Sequence, residues 1–272
     1  MKRTFIVLAA AALVLSFVLS FSIPSFAAAR IKGKVVTYKA GNVVMKGYLA
    51  FDANIKGKRP GVLIVHEWWG QNEYVRKRAR MLAGMGYTAF ALDMYGNGKQ
   101  ANHPDDAGKF AAEVMKNAAI GEGRFMAALE FLKKQKNVDP ERIAAIGYCF
   151  GGGVVLHMAR LGIDLKGVAS FHGSLATAKP AEAGVIKAKI LVLNGDADKF
   201  TTPEQIESFK QEMNNAGADY QFISYPEAKH SFTNPDADRY AKKFNMPVEY
   251  NAEADKKSWA ELDKFLADIF KK

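Results

Sequence analysis

The chain has 272 residues, 49% of them hydrophobic, with 38 Lys and Arg against 28 Asp and Glu and a formal net charge of +10. That length and apolar content suit one large domain around one core. The basic residues are scattered, as in Arg76-Lys77-Arg78, Lys133-Lys134 and Lys271-Lys272. Without interleaved aromatics they read as solvated helix faces and exclude a nucleic-acid groove, while a single cysteine excludes an internal disulfide.

The chain opens Met1-Lys2-Arg3, runs apolar from Phe5 to Phe21, and reaches small residues at Ser25-Phe26-Ala27. A positive start, an apolar centre and a small-residue exit predict a secretory signal peptide over 1–27, leaving one domain over 28–272. The apolar run is short for a membrane span, and no cysteine near its exit offers a site for lipid attachment. The expected location is the periplasm or the outside of the cell, with no stable membrane anchor after cleavage.

Val35 to Tyr38 and Val43 to Phe51 alternate around Ala40-Gly41-Asn42, which predicts an antiparallel hairpin at a sheet edge. Val62-Leu63-Ile64-Val65 reads as a buried strand, followed by a helix from about Glu73 to Ala83. The next strand is Thr88 to Leu92, and helical patterns cover roughly Asp105 to Lys136. His103 in the preceding loop reads as a helix cap. Arg142 to Ile146 is a strand, and a helix-like segment follows at Val154 to Ala159. Strands at Gly167 to Phe171 and Ile190 to Leu193 precede a helix over Pro203 to Asn215, a strand over Tyr220 to Tyr225 and a last helix over Lys256 to Phe270. Trp259, Leu262, Phe265, Leu266 and Ile269 recur at helical spacing in that last segment. Short continuous apolar strands separated by helices predict an α/β fold, a mostly parallel sheet covered on both faces. Sites in such sheets form beyond the carboxyl ends of the strands.

The lone cysteine sits in Gly147-Tyr148-Cys149-Phe150-Gly151-Gly152-Gly153, between a buried strand and a helix. Glycines on both sides permit a sharp strained turn that lifts Cys149 above the sheet, and the helix start behind it favours negative charge on sulfur. A buried packing cysteine is the plain alternative, yet packing needs no glycines around it. Two further strand ends add an acid and a base. Asp196 and Asp198 follow the Ile190 strand, and His230 follows the Tyr220 strand. Taken singly, a loop Asp is commonly a turn residue and a loop His a surface residue. Nucleophile, acid, histidine in that order is the arrangement of α/β-hydrolases, with the histidine drawing the proton from sulfur and the aspartate fixing its tautomer.

At these residues the chain resembles the dienelactone hydrolase family. The matching pieces are Gly147 to Gly152, Asp198-Lys199-Phe200-Thr201-Thr202-Pro203, Glu227-Ala228-Lys229-His230-Ser231-Phe232 and His66-Glu67-Trp68-Trp69-Gly70, in order over nearly the whole chain after the leader. The resemblance implies an α/β-hydrolase fold, no cofactor, and a Cys149–His230–Asp198 triad with Asp196 left to shape its loop. It also implies that Glu67 contacts the thiol and accepts its proton when substrate arrives, a role that a raised carboxyl pKa would suit. The competing role for Glu67 is a cap on the following helix. His66 makes no zinc motif, because Gly70 stands where a helical His-Glu-x-x-His pattern needs its second histidine.

The N–H groups of Phe150 and Trp68 are the natural oxyanion donors, one after the nucleophile and one from the earlier strand loop. Trp69, Tyr95, Asn97, His172 and Asn234 are candidate pocket residues, and the tryptophans suit either a pocket wall or core packing. Asn97 and Asn234 stand where the resembled family holds a substrate carboxylate with arginines, and an amide supplies no bidentate positive fork. Lys99, Lys229 or Arg239 are the basic residues available to substitute. The expected function is cleavage of a small ester or lactone through a thioacyl intermediate. The alternatives are a thioesterase or general carboxylesterase on the same scaffold, or a non-catalytic thiol or binding protein.

Overall fold

The computed structural model describes residues 29–271, so the expected signal peptide, 1–27, lies outside the described residues. Strands β1 (Ile31–Ala40) and β2 (Val43–Asp52) form the edge hairpin, with Gly41 at φ +57° supplying the left-handed backbone of its two-residue turn. The remaining strands are β3 (Arg59–Val65), β4 (Thr88–Leu92), β5 (Val138–Tyr148), β6 (Gly167–Phe171), β7 (Lys189–Gly195) and β8 (Tyr220–Tyr225). They make one sheet in the order β1-β2-β4-β3-β5-β6-β7-β8, antiparallel at β1/β2 and β2/β4 and parallel from β4 to β8.

Alternate residues of each strand serve opposite faces. Leu63 and Val65 join one core, which packs helices α3 (Ala118–Lys133), α4 (Phe150–Arg160) and α5 (Pro203–Ala216). Val62 and Ile64 join the other, beneath α1 (Glu73–Gly84) and α7 (Ala252–Ile269). Burial on both faces explains why these strands read as unbroken apolar runs. Local chemistry starts the helices where the sequence turns polar. Asn72 accepts from Val75 N–H, Asn251 accepts from Ala254 N–H, and Thr202 with Gln205 closes a capping box ahead of α5 with Pro203 in its first turn.

Three details differ from the sequence expectation. The helical patterns over 105–136 fall into two helices, α2 (Pro104–Lys116) and α3, with a division the patterns did not place, at Asn117, whose φ −125° and ψ 88° are not helical. Helix α6 (Ala237–Phe244) was not expected; it is short and its polar sequence carries few apolar positions. Arg78 is not on a solvated helix face: it is 4% exposed, with Nη2 donating to Thr233 O and Asp255 Oδ1, both at 2.6 Å.

The strand order positions the site. From β3 the chain crosses to β4 on one side, then to β5 on the other, so a crevice opens beyond the carboxyl ends of β3 and β5. Glu67 follows β3 and Cys149 follows β5, which places both at the point where the order reverses.

Candidate active site

Cys149 sits at φ 53° and ψ −117° between β5 and α4, a strained conformation for a residue with a side chain. The strain is held from both sides. Cys149 N–H donates to Phe171 O at 3.0 Å, and its carbonyl accepts from Gly152 N–H at 3.0 Å. Gly151 lets α4 lie against the end of β3, since a Cβ there would collide with the Val65 carbonyl. The result is a half-buried thiol at the start of a helix.

His230 follows β8 and reaches across to this thiol. Its Nδ1–H donates to Asp198 Oδ2 at 2.8 Å, while the Cys149 sulfur lies within hydrogen-bonding reach of the ring. Burial alone would hold the imidazolium down, but negative charge at Cys149 and the bond to Asp198 outweigh it and push the His230 pKa up to about 10. Asp198 is buried, and its Oδ1 accepts from Phe200 N–H at 2.8 Å, whereas Asp196 is exposed. The geometry thus selects Asp198 over Asp196 as the partner of the imidazole.

Glu67 is 2% exposed, and both of its oxygens are engaged. Ser231 Oγ donates to Oε1 at 3.2 Å and Asn234 Nδ2 donates to Oε2 at 2.6 Å. Burial raises its pKa to about 7, against the pull of Asn234 and of the nearby His230 charge. Among the described residues no hydrogen bond joins Glu67 to Cys149; the carboxylate faces the loop that carries His230. Glu67 does not cap α1, a task that falls to Asn72.

The other candidate residues divide. Tyr95 is buried beside the site: its hydroxyl donates to Trp68 O at 3.0 Å, its ring lies 5.7 Å from that of Phe150, and Cys149 is among the charges that raise its pKa, after burial itself. Trp68 is half-buried. Trp69 is packing, stacked on Tyr240 at 4.3 Å beneath α6. Asn234 is tied to Glu67 as described, and the exposed Asn97 turns against β2 through Asn97 N–H to Val44 O at 2.7 Å. His172 is 1% exposed and lies behind His230, 5.1 Å between ring centroids, with Nε2 hydrogen-bonded to Thr233 Oγ1 at 2.8 Å. Among the described residues no group of three or more His, Cys, Asp or Glu is placed to hold a metal ion.

Sequence reasoning passed over three groups. Phe200 is 52% exposed with its ring 4.8 Å from that of His230, forming an apolar rim. Asp93 gathers the loop after β4 by accepting from the N–H groups of Tyr95, Gly96, Gly98 and Lys46. Thr233 links His172 to Tyr74 (2.6 Å), and its carbonyl is held by Arg78. An acid directly after an apolar strand was the available signal for Asp93. Nothing local marked Thr233.

Comparison with known proteins identifies the family and the fold. The sequence profile of the Dienelactone hydrolase family matches residues 45–270. A protein from Aquifex aeolicus, named only as a candidate carboxymethylenebutenolidase, is 28% identical over 206 residues, covering 74% of this chain and 87% of its own. The crystal structure of a dienelactone hydrolase-like promiscuous phosphotriesterase from metagenomic libraries superposes with a TM-score of 0.84 at 31% identity, over 89% of this chain and 99% of that one. A thermophilic esterase from the planctomycete Thermogutta terrifontis shares the fold, with a TM-score of 0.59 at 18% identity over 88% of this chain and 92% of its own.

Proposed function

Since this chain belongs to the dienelactone hydrolase family and is a hydrolase of the α/β type, we propose that it cleaves small uncharged esters or lactones with Cys149 as nucleophile. His230, bridging Asp198 Oδ2 at 2.8 Å and the Cys149 sulfur, is the observation that carries this reading. Sulfur attacks the carbonyl carbon, and the carbonyl oxygen takes the negative charge between the N–H groups of Phe150 and Trp68. Collapse breaks the C–O bond, and His230 protonates the departing alkoxide. In a lactone that oxygen stays tethered to the acyl group. Water then loses a proton to His230 as it attacks the thioester, which releases the acid and restores the thiolate.

The substrate class follows from the charges around the site. Lys229 is paired with Glu249, Arg239 with Asp236 at 3.3 Å, and Lys99 lies over the Phe110 ring at 5.4 Å. Asn234 holds Glu67. The lysines and the Asn234 amide lack the fork a substrate carboxylate favours, and the Arg239 guanidinium is engaged by Asp236, while Phe200 and Trp68 offer apolar rims. Export to the periplasm, read from 1–27, is part of the proposal, and recovery of the protein in the cytoplasmic fraction would remove it.

Two treatments test the mechanism: Cys149→Ala and alkylation by iodoacetamide. Either should abolish hydrolysis of p-nitrophenyl acetate, and unchanged turnover would take Cys149 out of the reaction. Comparing matched lactones with and without a carboxylate should show the neutral one turned over at higher kcat/KM.

A further inference from the structure

We infer that His66 is a positioning residue for the reaction: it aims the Trp68 N–H at the oxyanion by holding the other end of the same peptide. This rests on the reading above, in which Trp68 N–H is one of the two oxyanion donors.

His66 directly follows β3 and is completely buried. Met94 N–H donates to its Nε2 at 3.2 Å, and a backbone amide can only donate, so Nε2 carries the lone pair. The ring's proton therefore sits on Nδ1, which donates to Glu67 O at 2.6 Å. Burial holds the His66 pKa below its ordinary value, so the ring stays neutral and keeps this tautomer. Protonation would place a second N–H against that of Met94.

The Glu67 carbonyl and the Trp68 N–H belong to one planar trans peptide and point in opposite directions. Fixing the carbonyl against His66 therefore fixes the N–H on the other side. Gly70 N–H donates to the same carbonyl at 3.1 Å and closes the turn. Tyr95 then holds the next carbonyl, Trp68 O, at 3.0 Å, so both peptides of Trp68 are clamped at their oxygens. Among the described residues the Trp68 N–H has no acceptor of its own. His66 also stacks on Phe150, the residue of the second donor, with centroids 6.0 Å apart and planes 24° from parallel. One buried neutral ring thus braces the strand end that carries one donor and the helix start that carries the other.

Two substitutions separate the ring's functions. In His66→Asn the amide nitrogen occupies the place of Nδ1 and keeps the donor to Glu67 O. In His66→Gln the amide oxygen occupies the place of Nε2 and keeps the acceptor for Met94, but the donor is lost. For p-nitrophenyl butyrate, His66→Gln should lower kcat by about 100-fold with KM within about threefold, the scale of one misaligned oxyanion donor. His66→Asn should recover kcat to within about fivefold of the unsubstituted enzyme. Alkylation of Cys149 by iodoacetamide builds no oxyanion, so its rate should stay within about twofold in both. Wild-type kcat in His66→Gln, or alkylation falling in step with turnover, would overturn the inference. If the glutamine protein does not fold, the asparagine protein decides: near-normal kcat supports the role, and a 100-fold loss with normal alkylation overturns it. Full turnover by Cys149→Ala would instead sink the underlying mechanism and is read separately.

Discussion

Two histidines stand 5.1 Å apart in this site, and folding treats them in opposite ways. His230, at the front, meets Asp198 and the Cys149 sulfur, and its pKa rises to about 10. His172, at the back, meets the neutral Thr233 hydroxyl instead, and burial together with the His230 charge drives its pKa well below 6.5. Both are desolvated, so burial does not separate them. The sign of the shift comes from whether an anion waits at the ring. A neutral back is also what lets the front hold a proton, because a second imidazolium at that distance would repel the first.

The largest break in this contrast is Asp198→Asn. Removing the anion should lower kcat for an activated ester by about 10³–10⁴-fold, the scale seen when a triad acid loses its charge. In an NMR titration the His230 pKa should fall from about 10. Its raised value stabilises the fold fully below pH 6.5 and fades as pH passes about 10, so this contribution should shrink in the variant. An unmoved pKa would show that Asp198 does not set the front's charge.

Glu67 tests the same rule for an acid. Its pKa is raised from 4.5 to about 7, so the folded state binds more protons than the unfolded one between those values. Stability therefore declines as pH rises from about 4.5 to 7, by about 3 kcal/mol in total. Glu67→Gln lacks that decline. Urea unfolding should show its stability relative to wild type growing by about 3 kcal/mol from pH 4 to pH 8. A flat difference would mean Glu67 titrates as an ordinary carboxyl.

Thr233→Val strips the back without touching the front. Tyr74 and His172 Nε2 each lose a buried partner, which should cost about 1–3 kcal/mol in urea unfolding while kcat stays within about threefold. A hundredfold fall in kcat would place His172 in the chemistry. The smallest expected effect is at the rim. Phe200→Ala should raise KM for aryl esters by about fivefold, on the order of 1 kcal/mol of lost apolar contact, and leave methyl esters nearly unchanged.

Much of the fold was legible because its signals are local. Apolar runs such as Val62 to Val65 and the capping residues Thr202 and Asn72 each act within a few positions. The order Cys149, Asp198, His230 was legible as well, since Cys149 directly follows its strand and the other two lie in the loops that leave theirs. The division at Asn117 was not, because neither proline nor glycine stands beside it to mark a break. Arg78 looked solvated because its partners, Thr233 and Asp255, lie 155 and 177 residues away.

By itself the sequence determined which segments become strands and helices and which reactive side chains stand at strand ends, since backbone preference and apolar periodicity are short-range properties. Only the tertiary structure decided the charge each reactive group carries. Asn234 and Ser231 come to Glu67 across 167 and 164 residues, and Thr233 comes to His172 across 61. Protonation depends on desolvation and on neighbours within a few ångströms, and neither exists until distant loops close over the same crevice.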